Sequence, residues 1–151
     1  TWDVPYEPGT LKVIGKRGGQ VIAQEEIKTA AAPAKLALKL DRTTLAASTR
    51  GVAQLEFRIL DAEGTLVPTA NTPITLTIEG PAKLIGFDNG DQSSHDSYQS
   101  LTRPAFNGMA LATLQAGKTP GHVKVIAKAE GLPEQQVEFD VVPGAPVAAL
   151  P

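Results

Sequence analysis

The chain contains no cysteine. That absence removes disulfide scaffolds, thiolate zinc sites, iron–sulfur clusters and cysteine nucleophiles together, while leaving the redox compartment open. Aromatic residues make up only 5% of the chain and the formal net charge is -2. Both argue against a nucleic-acid partner, which calls for a basic surface interleaved with stacking rings. No apolar run approaches the roughly 20 residues that a bilayer-spanning helix needs, so no membrane partner is expected. No basic patch followed by an apolar stretch stands near Thr1, and no signal peptide is expected within these residues. The only histidines, His95 and His122, are too far apart in sequence to suggest a zinc motif. No cofactor is expected.

What the sequence does have is punctuation and alternation. With 42% hydrophobic residues in 151, it can sustain one ordinary core. Leu36, Leu38 and Leu40 alternate with polar or small residues, as do Leu55, Phe57 and Ile59, and then Ile74, Leu76 and Ile78. Val123, Val125, Ala127 and Ala129 repeat the pattern, followed by Val137, Phe139 and Val141. Period-two alternation places one dry and one wet face on each strand. Turn clusters such as Asp61-Ala62-Glu63-Gly64, Glu79-Gly80-Pro81 and Thr119-Pro120-Gly121 separate the runs, and the 14 glycines and 12 prolines veto long helices. The expected fold is all-β, an immunoglobulin-like antiparallel sandwich lacking the usual disulfide and its tryptophan.

The first thirty residues read separately. Leu11–Arg17 and Gln20–Lys28 are strand-like runs joined by Gly18-Gly19, a good hairpin turn. The Ala-rich stretch before Pro33 reads as a linker or as the start of the next strand. The expected division is therefore 1–32 for closing strands of a preceding domain plus linker, 33–142 for the sandwich, and 143–151 for an extended or disordered tail. Leu11, Val13, Val21 and Ile27 would lack a sheet partner. Such a hairpin should either fold back on the sandwich or self-associate with a second copy.

Between Asp88 and Phe106 alternation fades, giving a long segment of the kind that is often functional or held by a neighbouring domain. Asp88, Asp91 and Asp96, with Asn89, Ser93 and Ser94, are hard oxygen donors that could form a calcium loop, though not with EF-hand spacing. The structural alternative is that each carboxylate caps backbone amides in a turn. Ser94-His95-Asp96 has the letters of a hydrolase triad, but sequence neighbours cannot form its relay. No catalytic residue is assigned. Asn89, His95 and Tyr98 are the candidates for contact with another domain or a sugar, while Tyr98 and Phe106 are expected to point inward.

Two ordered stretches carry a family resemblance. Val4-Pro5-Tyr6-Glu7-Pro8-Gly9-Thr10-Leu11-Lys12-Val13, with the Gly18-Gly19 turn and the return through Gln20-Val21-Ile22-Ala23, resembles the closing strands of the middle immunoglobulin-like domain of bacterial family 2 glycoside hydrolases of β-galactosidase type. Gly86-Phe87-Asp88-Asn89-Gly90-Asp91, Ser94-His95-Asp96-Ser97-Tyr98 and Ala105-Phe106-Asn107-Gly108 resemble the domain that follows it. The resemblance implies a C-terminal accessory region whose partners are the other domains of a parent glycosidase. The catalytic glutamates would lie on a (β/α)₈ barrel, which needs about 200 residues or more. It further implies export to the periplasm or cell surface. A carbohydrate-binding module and an adhesin-like surface spacer are the alternatives.

Overall fold

The computed structural model describes residues 3–48 and 50–144, and every regular element among them is a strand. β1 (Thr10–Arg17) and β2 (Gln20–Lys28) form a separate two-stranded sheet. The sandwich consists of β3 (Lys35–Leu40), β4 (Thr44–Ala46), β5 (Val52–Leu60), β6 (Pro73–Glu79), β7 (Ala82–Asp88), β8 (Thr102–Pro104), β9 (Met109–Ala116), β10 (Gly121–Ala129) and β11 (Gln135–Val142). One sheet runs β3-β5-β9-β7 and the other β4-β11-β10-β6-β8. With β3, β5, β6, β7, β9, β10 and β11 taken as strands A to G, this is the ABED and GFC arrangement of an immunoglobulin-like sandwich. The pairing is not wholly antiparallel as expected, because β4 runs parallel to β11. β4 continues the chain from β3 across to the opposite sheet, which fixes its direction.

The expected alternation places the expected residues inside. Leu55, Phe57 and Ile59 are fully buried, as are Ile74, Val123 and Val125. They share one core with Leu114, Phe87 and Phe139, in which the Phe57 and Phe87 rings are tilted with centroids 5.3 Å apart. Such a tilted pair, 48° between ring planes, avoids the unfavourable face-to-face stack of the ring quadrupoles. Between β8 and β9, Asn107 and Gly108 both have positive φ, 52° and 76°, in a tight two-residue turn closed by hydrogen bonds between Phe106 and Met109. This turn sends the chain from one sheet to the other, just after β8.

The hairpin forms as read, with Gly18 and Gly19 both at positive φ. It does not fold back on the sandwich. Every residue of its strands is exposed except the half-buried Gly15, and its apolar side chains Leu11, Val13, Val21 and Ile27 stand open. After the hairpin, Ala30 in the Ala-rich stretch already packs against the sandwich core. Of the tail, residues 145–151 lie outside the described residues.

Candidate functional site

The β7–β8 loop, residues 89–101, is built around one arginine. Arg103 sits in the middle of β8 and is 1% exposed. Its Nε donates to Phe87 O at 2.9 Å, reaching back to β7. Nη1 donates to Ser94 Oγ at 3.1 Å, and Nη2 to the carbonyls of Asp96 and Ser97 at 3.3 and 3.1 Å. Five donors in a planar fork suit such a divergent set of acceptors. Tyr98 lies over the guanidinium, 5.4 Å from its ring centroid. The carbonyl of Tyr98 accepts Phe87 N–H at 2.7 Å, and that of Leu101 accepts Leu76 N–H at 2.8 Å, so the loop also bonds to both sheets. Neutral carbonyls and one hydroxyl thus replace water around a buried cation, and the carboxylate of Asp96, exposed, lies 3.6 Å away.

Local side-chain turns complete the loop. Asp88 Oδ1 accepts the N–H groups of Asn89 and Gly90 at 2.8 and 3.3 Å. Asn89 donates its side-chain amide to Pro104 O and accepts Asp91 N–H, so both ends of that amide serve the loop itself. Asp91 accepts both the hydroxyl and the N–H of Ser93 at 2.7 and 2.9 Å, and these bonds, the hydroxyl first, hold its carboxyl below the usual aspartate value. Asp88, Asp91 and Asp96 therefore face different partners. Among the described residues no three His, Asp or Glu side chains are grouped to hold a metal ion.

The structure corrects the expected placement of the aromatics. Tyr98 and Phe106 are not turned inward but are 59% and 40% exposed. Tyr98 rests on the arginine with its outer side open, and Phe106 flanks the Asn107-Gly108 turn. His95 and Tyr98 are exposed on the loop surface, whereas Asn89 is half-buried beneath it. The Ser94-His95-Asp96 letters form no relay: Ser94 is bonded to Arg103, and its hydroxyl also accepts Asp96 N–H.

Three charged residues carry interactions that the sequence reading passed over. Arg103 had no signal, because its partners come from other segments of chain. Asp61 appears in a turn cluster, yet it is 1% exposed and accepts N–H groups from both Thr65 and Ala31. His122 lies on an exposed strand face between two carboxylates of β11, Asp140 Oδ1 at 2.8 Å from Nδ1 and Glu138 Oε2 at 3.4 Å from Nε2. The Asp140 hydrogen bond, then the nearby negative charges, raise its pKa above the usual histidine value. The face is flat and open, and suits a cross-strand surface cluster.

The described residues thus form an immunoglobulin-like sandwich with one loop wrapped about a buried arginine, preceded by an exposed hairpin. The chain belongs to the glycoside hydrolase family 2 C-terminal domain 5 family, whose model matches residues 36–138. Residues 1–23 match a different model, a domain of unknown function (DUF4982). The chain is 37% identical over 131 residues to the β-galactosidase BoGH2A of Bacteroides ovatus, covering 87% of this chain and 15% of that enzyme. Its fold superposes on a glycosyl hydrolase family 2 member from Bacteroides cellulosilyticus with a TM-score of 0.89 at 26% identity, covering 93% of this chain and 18% of that one. A β-glycosidase from Bacteroides vulgatus gives 0.83 at 28% identity, with 93% and 18% covered. The chain thus spans less than a fifth of the length of these relatives.

Proposed function

We propose that the chain is a non-catalytic accessory module of a family 2 glycosidase of β-galactosidase type, which packs against the other domains of its parent and orients them. The observation that carries this reading is the match to a C-terminal-domain model by a chain that corresponds to only 15% of BoGH2A. A (β/α)₈ barrel needs about 200 residues or more, which 151 residues cannot supply. In the same reading the hairpin is the closing pair of strands of a preceding module, and its open apolar side chains are that module's missing core contacts. The match of residues 1–23 to a separate family model supports this. His95, Tyr98 and the exposed rim of the loop are the surface offered to a neighbouring domain. Asn89 acts beneath them as a brace.

The test has two arms. The purified chain, incubated at high concentration with a chromogenic β-galactoside, should give no turnover above buffer. Removing the module from its parent enzyme should lower the melting temperature and the yield of folded enzyme while leaving kcat per folded active site nearly unchanged. Turnover by the isolated chain that disappears in Asp88→Asn or Asp91→Asn would refute the reading. So would a truncated parent that is as stable as the intact one.

A further inference from the structure

We propose that Asp61 locks the junction between the hairpin unit and the sandwich, making residues 29–34 a rigid elbow rather than a linker. The purpose of such an elbow, holding a preceding module at a fixed angle, rests on the accessory reading above. Its geometry rests on this chain alone.

The elbow is anchored on both sides of Pro33. On the hairpin side, Thr29 N–H donates to Gly9 O at 2.8 Å, and Gly9 N–H donates to Thr29 Oγ1 at 3.1 Å, closing the base of the unit. On the sandwich side, the very next residue, Ala30, packs against the core, and Ala31 N–H donates to Asp61 Oδ2 at 3.0 Å. Ala34 N–H then donates to Leu60 O at 2.8 Å, and the Lys35 ammonium to Ala62 O at 2.6 Å. Between these anchors, Pro33 has a fixed φ and restricts Ala32 before it, so these two residues have few conformations left. A flexible linker, by contrast, leaves several consecutive residues unbonded.

Asp61 is the residue that joins the two segments. Its other oxygen accepts Thr65 N–H at 2.7 Å, which alone would suffice to form the turn after β5. The second bond, to an amide thirty positions away, adds nothing to that turn and ties the elbow to it. Both partners are donors, so the site calls for an acceptor-only side chain, and an ionised carboxylate is one. The amide of Ala31, with smaller contributions from Thr65, Glu63 and Gly64, lowers the Asp61 pKa against the opposing effect of burial. Asparagine in its place would turn an NH₂ group toward one of the two N–H donors.

The chain has no cysteine, so labels can be placed without removing native thiols. Spin labels at Lys28→Cys, in the hairpin base, and Lys118→Cys, in the turn between β9 and β10, report the angle through their distance distribution. The otherwise unsubstituted chain should give one narrow distribution. Asp61→Asn should broaden it at least twofold and speed amide exchange at Ala31 at least tenfold, while the sandwich remains folded. Inserting two glycines between Thr29 and Ala30 spares Asp61 and all its partners, and should broaden the distribution as much even if Asp61→Asn fails to fold. Asp88→Ala, which removes a capping carboxylate elsewhere, should leave it narrow. A broad distribution in the unsubstituted chain, or a narrow one in either elbow variant, would overturn the proposal. Failure of the glycosidase reading would appear in the truncation assay and leave these distances unmoved.

Discussion

Replacing Arg103 with methionine is the most direct way to ask what holds the 89–101 loop. Methionine keeps an unbranched apolar stem in the site and removes every donor. Phe87 O, Ser94 Oγ, Asp96 O and Ser97 O then lose a charged partner at once. Hydrogen bonds to a charged group contribute about 1.5–3 kcal/mol each, which would give an implausibly large sum if all four were counted in full. Only the bond to Phe87 O is fully buried, and water can replace the guanidinium at the three partly exposed loop acceptors. The variant is also relieved of a buried ion, and replacing such ions by apolar groups is often close to neutral.

The net cost should therefore be that of one buried charged bond plus part of the others, about 2–4 kcal/mol. For a domain of this size that corresponds to a fall in melting temperature of about 10 °C. Arg103→Lys should recover little, because one ammonium cannot reach both the β7 carbonyl and the Asp96 and Ser97 carbonyls. Asp96→Asn should change stability by less than about 1 kcal/mol, since that carboxylate is exposed. Thermal and urea melts give the energies, and hydrogen exchange at the Phe87 amide, which is bonded to Tyr98 O, reports the loop itself. An Arg103→Met variant that melts with the parent chain and keeps that amide protected would show that the loop is held by something else.

Three further outcomes follow from particular contacts. Gly80 has φ +97° and a Cβ there would stand 2.1 Å from His122 O, so Gly80→Ala should cost more than about 3 kcal/mol in a urea melt; Gly90→Ala, at φ +79° in open space, should cost only about 1–2. Because the folded state raises the pKa of His122, its stabilising contribution is complete below about pH 6.5 and is lost as pH rises through the folded value, so the melting temperature should fall more steeply above that pH in the parent chain than in His122→Gln. Parallel pH curves would dismiss the cluster. Asp88→Ala should cost about 0.5–2 kcal/mol through its two lost amide bonds, with EDTA having no effect on the parent chain; a large EDTA-induced drop reversed by calcium would restore the metal reading of the loop.

The strands legible in the sequence are those whose inward positions are large and outward ones polar. β5 satisfies this from Gln54 to Ile59, and β10 from His122 to Val125. β9 reverses it: Ala110, Ala112 and Ala116 face inward with Leu114, while Met109 and Leu111 face outward, so side-chain size points the wrong way. Small residues are needed there because Phe57 and Phe87 from the flanking strands fill the space above Ala110 and Ala112, to which they are paired in register. β7 escaped detection for another reason, a register shift between Leu84 and Gly86 that breaks the period of two. β4 and β8 have three residues each, too few to show any period.

The 89–101 loop was legible in location but not in organisation, and the same physics accounts for both. A run of Asp, Asn, Ser and Gly marks a loop because those side chains bond to amides one to three residues away, and the bonds at Asp88, Asp91 and Ser97 are of that local kind. Arg103 and Asp61 act over greater separations. Arg103 reaches back six to sixteen residues, and Asp61 reaches back thirty to Ala31. In one-dimensional sequence each looks like an ordinary charged residue beside a turn or an edge, where solvent exposure is the usual outcome. Only the crossing of β7 to β8 between sheets, and the return of the chain from the hairpin past the β5 turn, bring the acceptors of one and the donors of the other into place. Buried charge in this fold therefore marks the points where the topology crosses between layers or between units, and those points, not the alternating strands, determine how the module presents its loop and its neighbouring hairpin.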